Sequence, residues 1–132
     1  MIIKQNLEEI LKTVVKGCTL IAVSKTHPAE KVLEAYQCGQ RVFGENKVQE
    51  MTAKYEVLPK DIQWHLIGHL QSNKVKYIAP FVHLIHSIDS LKLLQEVDKQ
   101  ARKFNRVIDC LLQIHVAQEE TKFGFSPPEV EA

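Results

Sequence analysis

The spacing of apolar residues along the chain switches repeatedly between the period of a helix and that of a strand. Short apolar runs predict five strands, over residues 19–25, 41–44, 62–67, 82–88 and 107–116. The other apolar residues recur three and four positions apart and predict helices, over residues 7–14, 28–38, 46–58, 72–78 and 89–104. Strands that alternate with helices in this way indicate βαβ units and a parallel sheet, so the predicted fold class is α/β.

Several predicted helices begin with residues that suit a first helical turn. Pro28 is tolerated there because its missing N–H would have no partner in any case. Asn46, with Gln49 three residues later, is predicted to cap the third helix, and the pair Asp89 and Ser90 is predicted to cap the fifth. Residues 126–129, SPPE, predict one more helix, yet the sequence stops three residues later. We therefore expect this chain to be the N-terminal portion of a longer fold.

Composition narrows the class of protein. The 132 residues are 45% hydrophobic and 25% charged, which is typical of one globular domain. Seventeen basic and sixteen acidic residues give a net charge of +1, which argues against a nucleic acid or a membrane surface as partner. No apolar run could cross a bilayer, and polar residues come too early for a signal peptide. The three cysteines form no C-x-x-C pair, so we expect a cytoplasmic protein without disulfides.

Lys25 is the last residue of the first predicted strand. Its position matters because ligands of parallel α/β proteins bind at the carboxyl ends of the strands. Alternation places Lys25 on the same face as Ile21 and Val23, so we expect its amine to be partly desolvated. Desolvation favours the neutral amine, which is a nucleophile toward an aldehyde. From position alone, the commoner alternative is a lysine whose amine simply reaches solvent.

The histidines do not form a recognisable metal motif. His65 and His69 are four residues apart, but they lie at a predicted strand and no glutamate follows as in H-E-x-x-H. His83 and His86 are predicted to point to opposite faces of a strand. We therefore predict no metal site and retain only His65 and His115, by their strand faces, as residues that could face a ligand.

Five blocks of the sequence resemble one family. They are LIAVSKT at 20–26, FGENKVQE at 43–50, WHLIGHLQSNK at 64–74, IHSID at 85–89 and EETKFG at 119–124. In this order they are similar to the pyridoxal phosphate homeostasis proteins, whose fold is related to the N-terminal barrel of alanine racemase. The blocks span almost the whole chain, so the resemblance is specific.

The resemblance implies a (β/α)8 barrel of the TIM type, in the fold-type III class that carries pyridoxal 5'-phosphate (PLP). By its place in the V-S-K-T block, Lys25 is implied to form the internal aldimine with PLP, which overrides the alternative from position alone. Asn46 and His65 are implied to line the cofactor pocket. Lys122, after the fifth strand, is implied to act in regulation or cofactor transfer. Members of the family are regarded as PLP carriers without robust catalytic activity, with PLP-dependent apoenzymes as possible recipients.

Compared with the family barrel, the chain is short. Residues 1–132 are expected to form a single PLP-binding α/β barrel domain that is truncated after about five strands. The residues that bind the phosphate and the pyridine nitrogen of PLP are expected in the remaining part, where late loops and a helix N-terminus would supply donors.

Two other functions stay open from the sequence. A PLP-dependent amino-acid racemase would need a second acid or base opposite the lysine, and Tyr36, Tyr55 and Tyr77 all fall on predicted helices. A partial barrel that binds no ligand is the other alternative.

Overall fold

The computed structural model describes residues 2–114, which alternate between helices and strands as the apolar spacing predicts. The helices are α1 Ile2–Leu11, α2 Ala29–Gln37, α3 Val48–Val57, α4 Val75–Ile78 and α5 Leu91–Lys103. The strands are β1 Ala22–Val23, β2 Val42–Glu45, β3 Gln63–Leu66, β4 Leu84–Ile88 and β5 Asp109–Leu112. The predictions for His115, Lys122 and the helix start at 126–129 lie outside the described residues.

The five strands form one parallel sheet in the order β1-β2-β3-β4-β5. A sequential order with helical crossovers is the arrangement of a βα barrel, because a doubly wound sheet reverses its order at a switch point. The register aligns one row of residues across all five strands: Val23, Gly44, His65, Leu84 and Asp109. We call the side of the sheet that carries this row the inner face.

The hydrophobic core lies between the helices and the opposite, outer face of the sheet. Phe43, Trp64 and Ile85 on that face are at most 1% exposed. Their partners on the helices include Met51 of α3 and Val97 of α5. The core forms here because alternate residues of each strand are apolar and meet the apolar stripe of a helix.

Two predicted details differ in the structure. Strand β1 pairs with β2 over only two residues, Ala22 and Val23, of the seven predicted. Asn46 does not cap α3; the N-cap is Lys47, in an extended conformation and without a side-chain cap hydrogen bond. Asn46 instead lies in a bend directly after β2, and its backbone packs closely against Gly68, where an added Cβ would lie 2.6 Å from the Asn46 carbonyl oxygen.

Other predicted features are confirmed. Ser90 is the N-cap of α5 and accepts a hydrogen bond from the Leu93 N–H at 3.1 Å. The predicted helix over 72–78 forms as one 3-10 turn, Ser72–Lys74, followed by α4.

Between residues 2 and 114, no helix is long and apolar enough to span a bilayer.

Candidate functional site

Two predicted cofactor residues, Lys25 and Asn46, follow adjacent strands at the same level of the sheet. Val23 pairs with Gly44, and each of the two candidates lies two residues further along its strand. The Ser24 N–H donates to the Gly44 carbonyl oxygen at 2.9 Å, which continues the parallel pairing up to Lys25. The structure therefore brings Lys25 and Asn46 together at the carboxyl edge of β1 and β2.

The side chain of Lys25 is exposed and makes no hydrogen bond or ion pair with residues 2–114. The expected partial desolvation is therefore wrong for these residues. The Lys25 side chain is exposed because β1, an edge strand of the described sheet, gives it little cover. Val23, on the same face of that strand, is itself 51% exposed. The amine is open to a ligand from the solvent side.

Asn46 is half-buried, and its side-chain amide forms no hydrogen bond with the described residues. It lines a surface cavity of about 330 Å³. The cavity is polar, and its other lining residues include Lys47, Gln49, Gln71 and Lys74. An amide without a protein partner, at the rim of a polar cavity, can donate to or accept from a ligand.

His65, the third predicted cofactor residue, lies one layer deeper than Lys25 and Asn46. It belongs to the row of Val23 and Gly44 on the inner face and is 5% exposed. Its Nδ1 lies 2.9 Å from Nε2 of His86, and its ring stacks on the ring of His83 with centroids 5.5 Å apart. In the structure, His65 therefore contacts two other histidines, and its side chain is not exposed to a ligand.

This histidine cluster corrects the prediction that His83 and His86 point to opposite faces. The alternation failed because β4 begins at Leu84, so His83 precedes the ladder and need not alternate with it. Burial, and then the nearby rings of His86 and His83, lowers the pKa of His65 to about 4. Burial also lowers the pKa of His86. Among residues 2–114, no group of three or more His, Cys, Asp or Glu side chains is arranged to hold a metal ion.

A buried ionic network contacts Ser24 and Thr26, the two sequence neighbours of Lys25. The Lys54 ammonium of α3, 5% exposed, donates to the Ser24 carbonyl oxygen at 2.7 Å. It also donates to Oε2 of Glu45 at 2.8 Å and to Oε2 of Glu50 at 3.0 Å. Glu45 is completely buried on the outer face at the end of β2.

No motif of the sequence predicts this network, although the position of Lys54 indicates that its side chain is buried. Lys54 falls three residues after Met51 and four before Leu58, inside the apolar stripe of the predicted third helix. A charged residue at such a position must be buried and therefore paired. Glu45 likewise falls on the core side of a short strand, which indicates that its carboxylate is buried and needs a partner.

The residues present fit one end of PLP. Lys25 offers a free primary amine for an aldehyde, and the amide of Asn46 beside it offers a polar contact. His65 is less suited to direct contact, because His86 already occupies its Nδ1.

A parallel α/β sheet whose strands follow the chain order is the arrangement found in βα-barrel proteins. Within that class, the sequence profile of the alanine racemase N-terminal domain family matches residues 2–132. The chain belongs to this family. The predicted alanine racemase N-terminal-like fold is therefore confirmed.

Curated relatives are pyridoxal phosphate homeostasis proteins. That of Aquifex aeolicus is 44% identical over 134 aligned positions, which cover 93% of this chain and 59% of the relative. That of Schizosaccharomyces pombe is 43% identical, and the alignment covers 87% of this chain and 49% of the relative. The resemblance read from the five sequence blocks is confirmed. The chain spans about half to three fifths of the length of these relatives.

Solved structures show the same similarity. PipY of Synechococcus elongatus, solved without PLP, superposes with a TM-score of 0.90 at 40% identity, covering 97% of this chain and 60% of PipY. The PipY structure with PLP bound gives a TM-score of 0.88 at 39% identity. Alanine racemase of Bartonella henselae, 18% identical with a TM-score of 0.74, shares the fold.

Proposed function

We propose that this chain binds PLP covalently through Lys25, as part of an intracellular protein that holds and delivers the cofactor. The observation that carries the proposal is the exposed amine of Lys25 at the carboxyl edge of the sheet, beside the amide of Asn46; neither group has a hydrogen-bond partner among residues 2–114. Support comes from the relatives, which are PLP homeostasis proteins, and from PipY, which was solved with PLP bound.

Each residue of the site has a defined part in this proposal. PLP supplies an aldehyde that condenses reversibly with a primary amine. The Nζ of Lys25 would hold the cofactor through a C=N bond to the aldehyde carbon, whose formation releases the aldehyde oxygen and the two amine hydrogens as water. Asn46 contacts a polar group of the cofactor, and His65 supports the inner face beneath it through its hydrogen bond to His86.

A carrier function suits the surroundings of Lys25 better than catalysis does. A racemase needs a second acid or base facing the lysine. The three tyrosines of the chain, Tyr36, Tyr55 and Tyr77, lie on α2, α3 and α4 and not at the carboxyl edge. Tyr36 donates to Asp61, and the Tyr55 ring stacks on Phe81 with centroids 3.9 Å apart. We therefore propose that the protein lacks robust enzymatic activity.

The exposure of Lys25 also bears on partners and location. A bound aldehyde at an accessible lysine can return to solution when the bond hydrolyses, so PLP-dependent apoenzymes are the proposed recipients. Cys18, Cys38 and Cys110 are all free thiols, which supports a location in the reducing cytoplasm.

An absorbance titration with PLP tests the proposed function. We expect a new absorption band that saturates with PLP, is absent from Lys25→Ala and is retained in Lys99→Ala, an exposed lysine on α5. A band of equal size in Lys25→Ala would contradict the proposal. A racemase assay with alanine on the same protein tests the enzymatic alternative, and turnover that depends on Lys25 would favour it.

A further inference from the structure

We propose that Glu45, Glu50 and Lys54 form a clamp that fixes the backbone on both sides of Lys25 and thereby positions its amine. This inference rests on the proposed function of Lys25. The three residues lie on β2 and α3, and none of them needs to contact the cofactor. They are positioning residues.

The clamp holds the residue before Lys25 through two contacts. The Lys54 ammonium donates to the Ser24 carbonyl oxygen at 2.7 Å. The Ser24 hydroxyl donates to Oε2 of Glu45, which also accepts from Lys54 at 2.8 Å. The backbone and the side chain of Ser24 are therefore both tied to the same buried ion pair.

The clamp also holds the residue after Lys25. The Thr26 N–H donates to Oε2 of Glu50 at 2.7 Å, and the same oxygen accepts from Lys54 at 3.0 Å. Thr26 has a φ of +66°, in the left-handed region that a β-branched residue rarely adopts. The hydrogen bond to Glu50 helps to hold this unfavourable conformation, together with the His27 N–H, which donates to the Ser24 carbonyl oxygen at 3.1 Å across the turn.

Side-chain contacts are needed here because the sheet does not fix Lys25. Ladder pairing of β1 ends at Val23, and the Ser24 N–H makes the last backbone hydrogen bond to β2. Beyond that point, the turn at Lys25 is attached to the rest of the molecule by the clamp. The position of the amine therefore depends on α3, a helix packed in the core.

The cost of the clamp argues against a purely packing role. Glu45 is fully buried and Lys54 is 5% exposed, and burying charged groups is expensive. Apolar residues of similar volume would fill the same space without that cost. What they could not do is accept from the Thr26 N–H and the Ser24 hydroxyl or donate to the Ser24 carbonyl. All three N–H donors of Lys54 are used for this arrangement.

Glu50 allows a test with matched variants. Glu50→Ala removes the acceptor for the Thr26 N–H, whereas Glu50→Gln keeps an acceptor oxygen of the same reach. Glu56→Ala is the control, because Glu56 is an exposed carboxylate on the same helix. Each variant is incubated with PLP, the adduct is fixed with borohydride, and peptide mass analysis gives the rate of labelling at Lys25 relative to surface lysines.

We expect Glu50→Ala to label Lys25 about tenfold more slowly relative to surface lysines, since one charge-assisted hydrogen bond is lost. Glu50→Gln is expected to recover most of the rate, and Glu56→Ala to match the unsubstituted chain. Circular dichroism establishes that all of them are folded. Equal labelling of Lys25 in Glu50→Ala and Glu56→Ala would overturn the proposal.

A second measurement separates the clamp from the proposed function. Amide hydrogen exchange of Thr26, followed by NMR without PLP, is expected to be protected in the unsubstituted chain and at least about tenfold faster in Glu50→Ala. If Lys25 is not labelled selectively in the unsubstituted chain, the proposed function is contradicted. The exchange rate of the Thr26 amide then still tests whether the clamp exists, because it is measured without PLP. Equal exchange of Thr26 in the two proteins would overturn the clamp itself.

Discussion

The hydrogen bond between His65 and His86 requires one ring nitrogen to accept, so at least one of the two rings must be neutral. His65 is 5% exposed and has a pKa of about 4 in the fold. In the unfolded chain its pKa returns to about 6.5. Between these values the unfolded chain binds the additional proton, so the free energy of unfolding falls as the pH falls.

We predict that this contribution of His65 is fully present above pH about 6.5 and is lost as the pH falls toward 4. Between pH 7.5 and 5 the loss should be about 2 kcal/mol at most. Urea unfolding at the two pH values measures it. His65→Gln should weaken the pH dependence, while the exposed His27→Gln should not. An unchanged pH dependence in His65→Gln would contradict the assignment.

Lys25 and Lys54 show what can be read from a sequence at the scale of single residues. The motif identifies Lys25, but its position left two environments open, partial desolvation and exposure to solvent. The structure shows exposure among residues 2–114, and the sequence could not decide this because exposure depends on what covers the inner face. Lys54 was missed, although its place in the apolar stripe of α3 indicated burial. Its partner Glu50 lies four residues earlier on the same helix, a spacing that a sequence shows. Its partner Glu45 lies on β2, and apolar spacing carries no information about a pairing between two elements.

At the scale of elements, the change in apolar period predicted every strand and helix of the described residues. The predicted boundaries failed where tertiary contacts decide them. Strand β1 is shorter than its apolar run, and α3 begins two residues after Asn46, whose backbone packs closely against Gly68. The cap at Ser90 was predictable because capping is local to the helix end.

We predict that Ser90→Ala destabilises the protein by about 1 kcal/mol, since the Leu93 N–H loses its acceptor at the start of α5. Thermal unfolding measures the change. Ser72→Ala is the matched control, because Ser72 begins a 3-10 turn whose N-terminus has no side-chain cap. The assignment of the cap fails if the two substitutions lower the melting temperature equally.

At the scale of the molecule, the described sheet has open edges and uncovered apolar groups. Strands β1 and β5 each pair with one neighbour among residues 2–114. Near β5, Val107 is 93% exposed, Leu112 45% and Ile114 44%. Unpaired strand edges beside exposed apolar side chains favour association between chains.

We therefore predict that the 132-residue chain associates with itself in solution. Light scattering should show a mass that rises with protein concentration, and Leu112→Asp should reduce the rise by placing a charge among the exposed apolar groups of β5. Leu33→Asp, on α2 and far from that edge in the sheet order, is the control. A monomer at all concentrations with cooperative melting would contradict this prediction.

The central claim is that Lys25 is the residue that bonds to PLP. Borohydride reduction of the protein after incubation with PLP, followed by peptide mass analysis, tests it most directly, because the reduced adduct stays on the lysine that formed it. We expect the adduct to lie predominantly on the peptide that contains Lys25 and to disappear in Lys25→Ala. An adduct spread over surface lysines, with the same yield in Lys25→Ala, would contradict it.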